Sequence, residues 1–259
     1  MGELRVDRLG KAYTLRESWN RMRELNVFRD ISFTIRDSEF VSVIGTSGCG
    51  KSTLLSIAGG LSQPTSGEIL VDGRSVTQPG LDRGIVFQEF ALFPWLTVLG
   101  NVAFGLKSKG TPKAERERIA AHYVRLVGLG GFEHYHPHRL SGGMKQRVSL
   151  ARALAIEPSV LLMDEPFGAL DAQTREAMQN ALAEIWMKTR NTIMFITHDI
   201  REAIYLSDRV LVLSGRPATV SFELTVGLPR PRSRFDPVFQ KLESSLEAAI
   251  GHNPALAAE

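Results

Sequence analysis

Short apolar runs rich in β-branched residues recur along the chain, and most are bounded by glycine or by acidic residues. Each run is too short and too continuous for a surface helix, which predicts buried strands. These strands are 40–44, 85–87, 160–163 and 193–197. Other segments repeat their apolar positions with a helical period, and these predicted helices are 52–61, 113–127, 142–155 and 172–188. The alternation favours a mostly parallel sheet with helices on its faces. Two N-terminal runs, 31–35 and 68–71, alternate as antiparallel strands do.

Two shifts in this pattern divide the chain. Between Gln88 and about Leu154 the strands stop, and helical patterns punctuated by proline and glycine take over. After Gly227 a stiff basic segment, Leu-Pro-Arg-Pro-Arg, precedes a last helical pattern at 237–250. We therefore predict three parts of the chain. They are an α/β core with a small antiparallel subdomain (1–88 and 155–230), a helical insertion (89–154) and a short C-terminal extension (231–259).

Composition excludes several classes of protein. Of the 259 residues, 43% are hydrophobic and 23% are charged, which excludes a disordered or collagen-like chain. The net charge of +3 is too small for a protein that coats DNA, and no nucleic-acid partner is expected. The single cysteine, Cys49, excludes an intrachain disulfide and fits a reducing compartment. Because no apolar run reaches about 18 residues, we expect a chain that does not cross a membrane, although it can sit on one.

Residues 45–52 read Gly-Thr-Ser-Gly-Cys-Gly-Lys-Ser and follow a predicted strand. This is the spacing of a phosphate-binding loop, in which glycines let backbone N–H groups converge on phosphate oxygens. The helix that follows adds its positive N-terminal end. Lys51 supplies a charge to the β- and γ-phosphates, and the Ser52 hydroxyl can bind Mg²⁺. The predicted nucleotide-binding residues are Gly45, Thr46, Ser47, Gly48, Cys49, Gly50, Lys51, Ser52 and Thr53.

Two adjacent acids, Asp164 and Glu165, follow the apolar run at 160–163. Open α/β sheets bind ligands at the carboxyl ends of their strands. We expect Asp164 to hold Mg²⁺, directly or through water, and Glu165 to polarise the water that attacks the γ-phosphate. A general base of this kind is worth about 10²–10⁴-fold in rate. A helix N-cap is the structural alternative, but it needs only one of the two acids.

Residues 140–147 read Leu-Ser-Gly-Gly-Met-Lys-Gln-Arg. Ser141 can cap a helix, and Gly142 and Gly143 leave its first N–H groups open to an anion, although Ser-Gly-Gly is also an ordinary turn. Together with the loop and the acid pair, this segment resembles the signature motif of ABC-type ATPases. The resemblance extends over most of the chain and implies an α/β fold of the P-loop NTPase type.

The resemblance also implies roles for three further residues. Gln88 matches the family's Q-loop and is expected to sense the γ-phosphate and Mg²⁺. Asp171, in Ala-Leu-Asp, matches the D-loop and would tie two sites together. His198 matches the switch histidine and would hold the γ-phosphate and the attacking water, although alone it could be a core histidine. The expected catalytic residues are Glu165, His198, Lys51 and Gln88, and the expected Mg²⁺ ligands are Ser52, Gln88 and Asp164.

An aromatic side chain is expected to form the platform for the adenine base. The family usually stacks an aromatic side chain that precedes the phosphate loop on the base, and Tyr13 is the predicted platform. It lies 32 residues before Gly45, further than the family pattern. Residues 14–26 look like an insertion, and Trp19 and Phe28 are alternatives to Tyr13.

Two other features carry weaker signals. His134, His136 and His138 alternate before the signature segment, a pattern that can bind metal but that also suits an exposed loop, which we favour. Cys49 lies where a helix N-terminus lowers a thiol pKa, but a regulatory thiol is the less favoured interpretation.

In ABC-type ATPases two copies pack head to tail, with each ATP between one copy's phosphate loop and the other's signature, so a homodimer is expected. Leu92, Phe93 and Trp95 lie in a proline-broken segment, which indicates a partner site, with core packing as the alternative. In the family this region, from Gln88 to Asn101, receives a short helix of a transmembrane permease.

The sequence Leu-Phe-Pro-Trp-Leu-Thr-Val resembles the corresponding segment of the nitrate/sulfonate/taurine importer ATPases. The chain is thus expected to be an importer's ATPase subunit, with ATP and Mg²⁺ as cofactors and a solute-binding protein as a further partner. It would act at the cytoplasmic face of the bacterial inner membrane on a sulfonate, taurine or nitrate type of solute. The alternatives are a soluble ABC ATPase acting on nucleic acid or ribosomes, and a P-loop kinase, which would lack the signature.

Overall fold

The computed structural model describes residues 2–18 and 21–251. These residues form two compact units. The first contains the described residues up to Pro79 and those from Thr192 onward, and the second is Gly80–Asn191. None of the helices within these ranges combines the length and the apolar character that a membrane span requires.

The secondary structure of the described residues mixes strands and helices along the chain. The strands are β1 (Leu4–Ser18), β2 (Arg21–Ile35), β3 (Phe40–Gly45), β4 (Ser66–Val71), β5 (Arg74–Ser75), β6 (Arg83–Val86), β7 (Val160–Asp164), β8 (Thr192–Ile196), β9 (Arg209–Gly215) and β10 (Ala218–Thr225). The helices are α1 (Lys51–Ala58), α2 (Val98–Ser108), α3 (Lys113–Leu126), α4 (Gly142–Ala155), α5 (Ala172–Thr189), α6 (Ile200–Leu206) and α7 (Pro237–Gly251). A 3₁₀ turn occupies Pro137–Arg139.

The first unit is built on a sheet with the strand order β5-β4-β1-β2-β10-β9-β3-β8. Strands β9, β3 and β8 run parallel, whereas the pairs on the other side, β1–β2, β1–β4 and β4–β5, are antiparallel. The two parts meet where Ala218 of β10 lies opposite Phe28 of β2. Strand β3 is mostly apolar and buried on both faces because it has a strand on each side, and its one polar side chain, Ser42, hydrogen-bonds to Ser207. The predicted α/β fold with an antiparallel subdomain is confirmed.

Residues 14–18 and 21–26 form the outer part of the antiparallel β1–β2 pair. Thr14 lies opposite Glu24, and Arg16 lies opposite Met22. The described part of the segment that looks like an insertion therefore lengthens a two-stranded ribbon. The sequence did not predict these strands, because the side chains at 14, 16 and 22–25 are exposed, and an exposed ribbon does not impose an alternation of apolar and polar residues.

The second unit combines the parallel pair β6–β7 with helices α2, α3, α4 and α5. Helix α2 buries Val98, Val102 and Leu106, which recur every four residues and face α3 and α4. The sequence predicted helical structure in this region without delimiting α2. The helical insertion predicted at 89–154 and its boundaries stay a prediction, since β6 and β7 group with these helices in one unit.

Most predicted elements are confirmed to within a few residues, and α4 matches its predicted range. Helix α1 ends at Ala58, three residues before its predicted end. Gly60 there has φ of +73°, and a Cβ would lie 2.3 Å from the backbone of Gln78. Only glycine fits that approach, so the chain leaves the helix at this point.

The C-terminal segment packs onto the first unit through α7. Phe239 and Leu246 of α7 are buried against Ile204 of α6 and Val212 of β9. On the surface, Arg201 of α6 pairs with Glu243 of α7 at 2.5 Å. The predicted helix at 237–250 is therefore confirmed as α7 and belongs to the core of this unit.

The basic segment before α7 supplies a buried guanidinium. Arg232 donates to the carbonyl oxygens of Ile204 and Ser207 at 2.6 Å and to those of Tyr205 and Leu228 at 3.1 Å. The acceptors include the last carbonyls of α6, which have no partner within the helix. Burial, and then the charge of Arg230, lower the pKa of Arg232 to about 10, so the group stays charged at neutral pH.

A second arginine, Arg230, links the same C-terminal segment to the central strand of the sheet. Arg230 pairs with Asp208 at 2.5 Å and donates to the carbonyl of Leu206 at 2.6 Å. Asp208 also accepts the backbone N–H of Phe40, at the start of β3, at 2.9 Å. The Pro-Arg-Pro-Arg segment thus joins α6 to the strand that leads into the phosphate loop.

We expect Arg232→Met to lower the free energy of unfolding by about 3 kcal/mol, because several buried carbonyls lose their donor at once. Denaturant unfolding measures the change. Arg74→Met, on the exposed edge strand β5, is the matched control and should stay within about 0.5 kcal/mol of the parent. Equal stability of the two variants would contradict the role of Arg232.

Candidate functional site

The phosphate loop joins β3 to α1 in the first unit. Gly48 and Gly50 have φ of +77° and +95°, left-handed conformations that glycine adopts without strain. A Cβ on Gly45 would lie 2.3 Å from the carbonyl oxygen of Leu213 in the neighbouring strand β9. Cys49 is buried beneath the loop. The backbone is therefore held in a tight curve that only glycine permits at these positions.

Lys51 begins α1 and turns back across the loop. Its Nζ donates to the carbonyl oxygens of Gly45 at 2.8 Å and Thr46 at 3.1 Å. Ser52, on the first turn of α1, is exposed, and Thr53 is half-buried. The loop thus presents a cation, a hydroxyl and a helix N-terminus together, a set that suits a phosphate group.

His198 follows β8, the strand beside β3. The N–H of Thr197 donates to the carbonyl of Val43, so the chain reaches His198 at the sheet edge where the phosphate loop begins. Asp199 caps α6 by accepting the N–H of Glu202 at 3.1 Å, and the Thr197 hydroxyl donates to the Glu202 carboxylate. These bonds fix the turn, and His198 is exposed on it.

Tyr13 is 40% exposed on β1, with the Nζ of Lys11 4.7 Å from its ring centre. One ring face therefore carries a cation–π contact in this structure. Phe28 is only 1% exposed and belongs to the core, which removes it as an alternative platform. Trp19 lies outside the described residues. The adenine-stacking role of Tyr13 stays a prediction.

The two predicted acids lie in the second unit, where β7 ends. Val86 of β6 lies opposite Met163 of β7, so Gln88 and Asp164 leave the same edge of this parallel pair. Glu165 has φ of +41°, a left-handed conformation that is strained for a residue with a side chain. Strain of this kind is concentrated at functional sites.

Gln88 and Glu165 approach one another around Gly168. The Nε2 of Gln88 lies 3.4 Å, and the Oε2 of Glu165 lies 3.8 Å, from the point where a Cβ on Gly168 would be. The N–H of Gly168 also donates to the carbonyl of Glu165 at 3.0 Å. The structure thus brings together two residues that the sequence separates by 77 positions.

The signature segment begins α4 in the same unit. The Ser141 hydroxyl caps this helix by accepting the N–H of Met144 at 3.3 Å. A Cβ on Gly143 would lie 2.6 Å from Cγ2 of Thr174, at the start of α5. Gly143 therefore allows the two helix starts to pack closely.

Asp171 caps α5 next to the signature. Its carboxylate accepts the N–H of Thr174 at 3.0 Å. Hydrogen bonds from the side chain and the backbone of Thr174 lower the pKa of Asp171, which keeps it ionised near neutral pH. Leu170 lies 3.4 Å from the Cβ position of Gly142, so the predicted D-loop and signature residues are neighbours.

A buried asparagine shapes the loop predicted to contact a partner. Asn101 is fully buried in α2. Its amide donates to the carbonyls of Phe93, Leu96 and Thr97 at 3.0–3.2 Å, and its carbonyl accepts the N–H of Phe93 at 2.8 Å. These side-chain hydrogen bonds all go to the turn that displays Trp95.

Trp95 stands beside a groove of about 420 Å³ between α2 and α3. It is 71% exposed, and its ring lies 5.5 Å from that of Phe93, which in turn contacts Phe104 at 4.3 Å. Lys107, Arg116 and Glu117 add charged groups of both signs to the walls. The sequence pattern predicted the aromatic loop as a partner site. It did not indicate these α2 and α3 residues, because helix packing alone brings them to the same groove.

The sequence pattern also gave no indication of a role for Arg152. It lies on α4 and donates to the carbonyl of Ala91 at 2.6 Å and to that of Phe90 at 3.4 Å. Burial lowers its pKa. The signature helix is thereby bonded to the loop that follows Gln88.

The alternating histidines show no metal arrangement. His136 and His138 stack with ring centres 5.9 Å apart. Within residues 2–18 and 21–251 no group of three or more His, Cys, Asp or Glu side chains could hold a metal ion.

Comparison with known proteins fits this arrangement. A profile of the ABC transporter family matches residues 28–168, more than half of the chain. The chain belongs to the ABC transporter family. The members of this family that carry the cassette are ATPases, and this chain is an ATP-binding cassette ATPase.

Individual members of the family are similar over most of the chain. A nitrate import ATP-binding protein of Synechocystis sp. is 55% identical over 201 residues, covering 78% of this chain and 76% of that protein. An aliphatic sulfonates import ATP-binding protein of Bacillus anthracis is 44% identical over 234 residues, covering 90% and 92%. A solved dimeric ATP-binding cassette with ADP and Pi is 32% identical, with a TM-score of 0.74, and covers 87% of this chain and all of that one.

We expect Gly45→Ala to weaken ATP binding at least tenfold, because its Cβ would displace the phosphate loop from the backbone of β9. Gly227→Ala is the matched control, since nothing lies within 4 Å of a Cβ there. Titration calorimetry with ATP measures both. Parent-like affinity in Gly45→Ala would show that this close contact does not shape the loop.

Proposed function

We propose that this chain is the ATP-hydrolysing subunit of an importer for a small anionic solute of the sulfonate, taurine or nitrate type. The observation that carries the catalytic part is the glycine-built phosphate loop with Lys51 turned across it. The importer part is supported by the nitrate and sulfonate import relatives. The solute class rests on those relatives alone.

Each nucleotide-binding residue has a specific task in this proposal. The loop N–H groups bind the phosphates, and Lys51 leaves its two carbonyl partners to face the β- and γ-phosphates. Ser52, Gln88 and Asp164 offer hydroxyl, amide and carboxylate oxygens, the hard donors that suit Mg²⁺. When bound, Mg²⁺ neutralises charge on the phosphates. Tyr13 stacks on the adenine.

Proton transfer is assigned to the strained acid. Glu165 accepts a proton from the attacking water, which His198 holds. Gln88, which approaches Glu165 around Gly168, senses the γ-phosphate. His198 donates a hydrogen bond to the γ-phosphate. Its turn is fixed by the cap of α6, so little reordering is needed when ATP binds.

Two copies are proposed to act together. The similar solved cassette is dimeric. In the proposed dimer Ser141, Gly142 and Gly143 of one copy cover the ATP on the phosphate loop of the other, and Asp171 links the two sites. The open N-terminus of α4 provides backbone donors for the phosphates.

The groove beside Trp95 is proposed to receive a short helix from a transmembrane permease. Its aromatic wall and its volume of about 420 Å³ suit a few apolar side chains of a helix. Asn101 holds the Trp95 turn in place without that partner. Through the permease the protein would lie at the cytoplasmic face of the inner membrane, and a solute-binding protein would deliver the solute.

We expect Glu165→Gln to retain ATP binding, to lower ATP turnover by at least about 10²-fold, and to accumulate an ATP-bound dimer, because the amide does not accept the proton. Steady-state phosphate release and size-exclusion chromatography with ATP measure these effects. Glu115→Gln, on the exposed side of α3, should behave as the parent. Parent-like hydrolysis by Glu165→Gln would remove Glu165 as the base.

We expect Trp95→Ala to leave ATP binding unchanged and to reduce recovery of a permease from solubilised membranes several-fold, because Trp95 is the exposed aromatic anchor of the groove. Phe235→Ala is the matched control, since Phe235 is 90% exposed in the other unit. Affinity purification with quantification of multi-span proteins measures recovery. Equal recovery with both variants would contradict the docking role.

A further inference from the structure

The turn between β9 and β10 lies beside the phosphate loop. Strand β9 pairs with β3 so that Leu213 is opposite Gly45, where the loop starts. Two residues later the chain turns at Gly215, whose φ is +90°, and Ala218 pairs back onto it. The backbone of this turn is therefore fixed next to the loop by two strand pairings.

Arg216, in this turn, reaches over the loop. Its Nη2 lies 3.3 Å from the position that a Cβ on Gly48 would occupy. The side chain is exposed, and no hydrogen bond or ion pair holds it within the part of the chain that the structure describes. A cation with free donors thus stands at the open side of a phosphate loop.

The other wall of the loop is apolar. A Cβ on Gly50 would lie 2.4 Å from Cγ1 of Val27 and 3.0 Å from the ring of Phe28, both on β2. Since Ala218 of β10 pairs with Phe28 of β2, the β9–β10 turn lies next to this apolar wall. Arg216 is therefore a cation that lies beside the phosphate loop but belongs to a different segment of the chain.

We propose that Arg216 binds the phosphate chain of ATP, as a second cation in addition to Lys51. Lys51 approaches from beneath the loop, where it contacts the carbonyls of Gly45 and Thr46. Arg216 approaches from the solvent side, at Gly48. A guanidinium offers paired N–H donors that match two phosphate oxygens, which an ammonium does not.

The proposal rests on the proposed role of the 45–52 loop in binding ATP, and it adds a residue outside every segment that the sequence analysis assigned to the site. It predicts that the contribution of Arg216 is electrostatic. Exposed charge pairs are screened by salt, so the contribution falls as ionic strength rises.

The test compares Arg216→Ala, Arg216→Lys and Arg74→Ala by titration calorimetry with ATP at about 50 mM and about 500 mM salt. Arg74 is an exposed arginine on β5, six strands from β3 in the sheet order, and controls for the loss of one charge. Arg216→Ala should weaken ATP binding about tenfold at low salt and less at high salt. Arg216→Lys should retain part of the affinity, and Arg74→Ala all of it. Thermal unfolding should show equal stability for the alanine variants.

Two results would overturn the inference. One is ATP affinity in Arg216→Ala within twofold of that in Arg74→Ala. The other is a loss that is the same at both salt concentrations, which would assign Arg216 to a contact with the base. Lys51→Ala separates the two levels of the argument. If Lys51→Ala binds ATP as the parent does, the proposed role of the loop in ATP binding is wrong. If Lys51→Ala loses ATP binding but Arg216→Ala retains it, only the proposed role of Arg216 is wrong.

Discussion

The close approach of Gly45 to the carbonyl of Leu213 is the constraint on which the first unit's site depends. It requires β3 to lie directly beside β9 and to end in a residue without a side chain. Strand β3 is held at its other end by Asp208, which accepts the N–H of Phe40. Because both ends are fixed, the phosphate loop leaves the sheet in one direction.

The same central strand explains why a basic C-terminal segment packs into the first unit beside the phosphate loop's strand. Arg230 holds Asp208, and Arg232 closes the carbonyl end of α6, whose other end follows His198. A buried guanidinium is costly unless its donors are all used, and here carbonyl oxygens use them. The segment thus stabilises the elements that carry the phosphate loop and His198.

In the second unit the organising feature is the close packing of two helix starts. Gly143 allows α4 to contact Thr174 of α5, and each helix is capped by its own side chain, Ser141 or Asp171. Arg152 then bonds the same α4 to the loop after Gln88. The residues proposed to face ATP and those proposed to face a permease are consequently joined by one helix.

The sequence by itself determined the fold class, the phosphate loop, the acid pair and the signature, because each depends on residue types at fixed short spacing. It also determined most strands and helices, since buried elements repeat their apolar positions regularly. Only the tertiary structure decided that residues 14–18 and 21–26 extend the β1–β2 pair, that Phe28 is core, and that Gln88 approaches Glu165. It alone placed Arg216 over Gly48. These facts depend on contacts between distant segments, and no local pattern encodes which distant residues will meet.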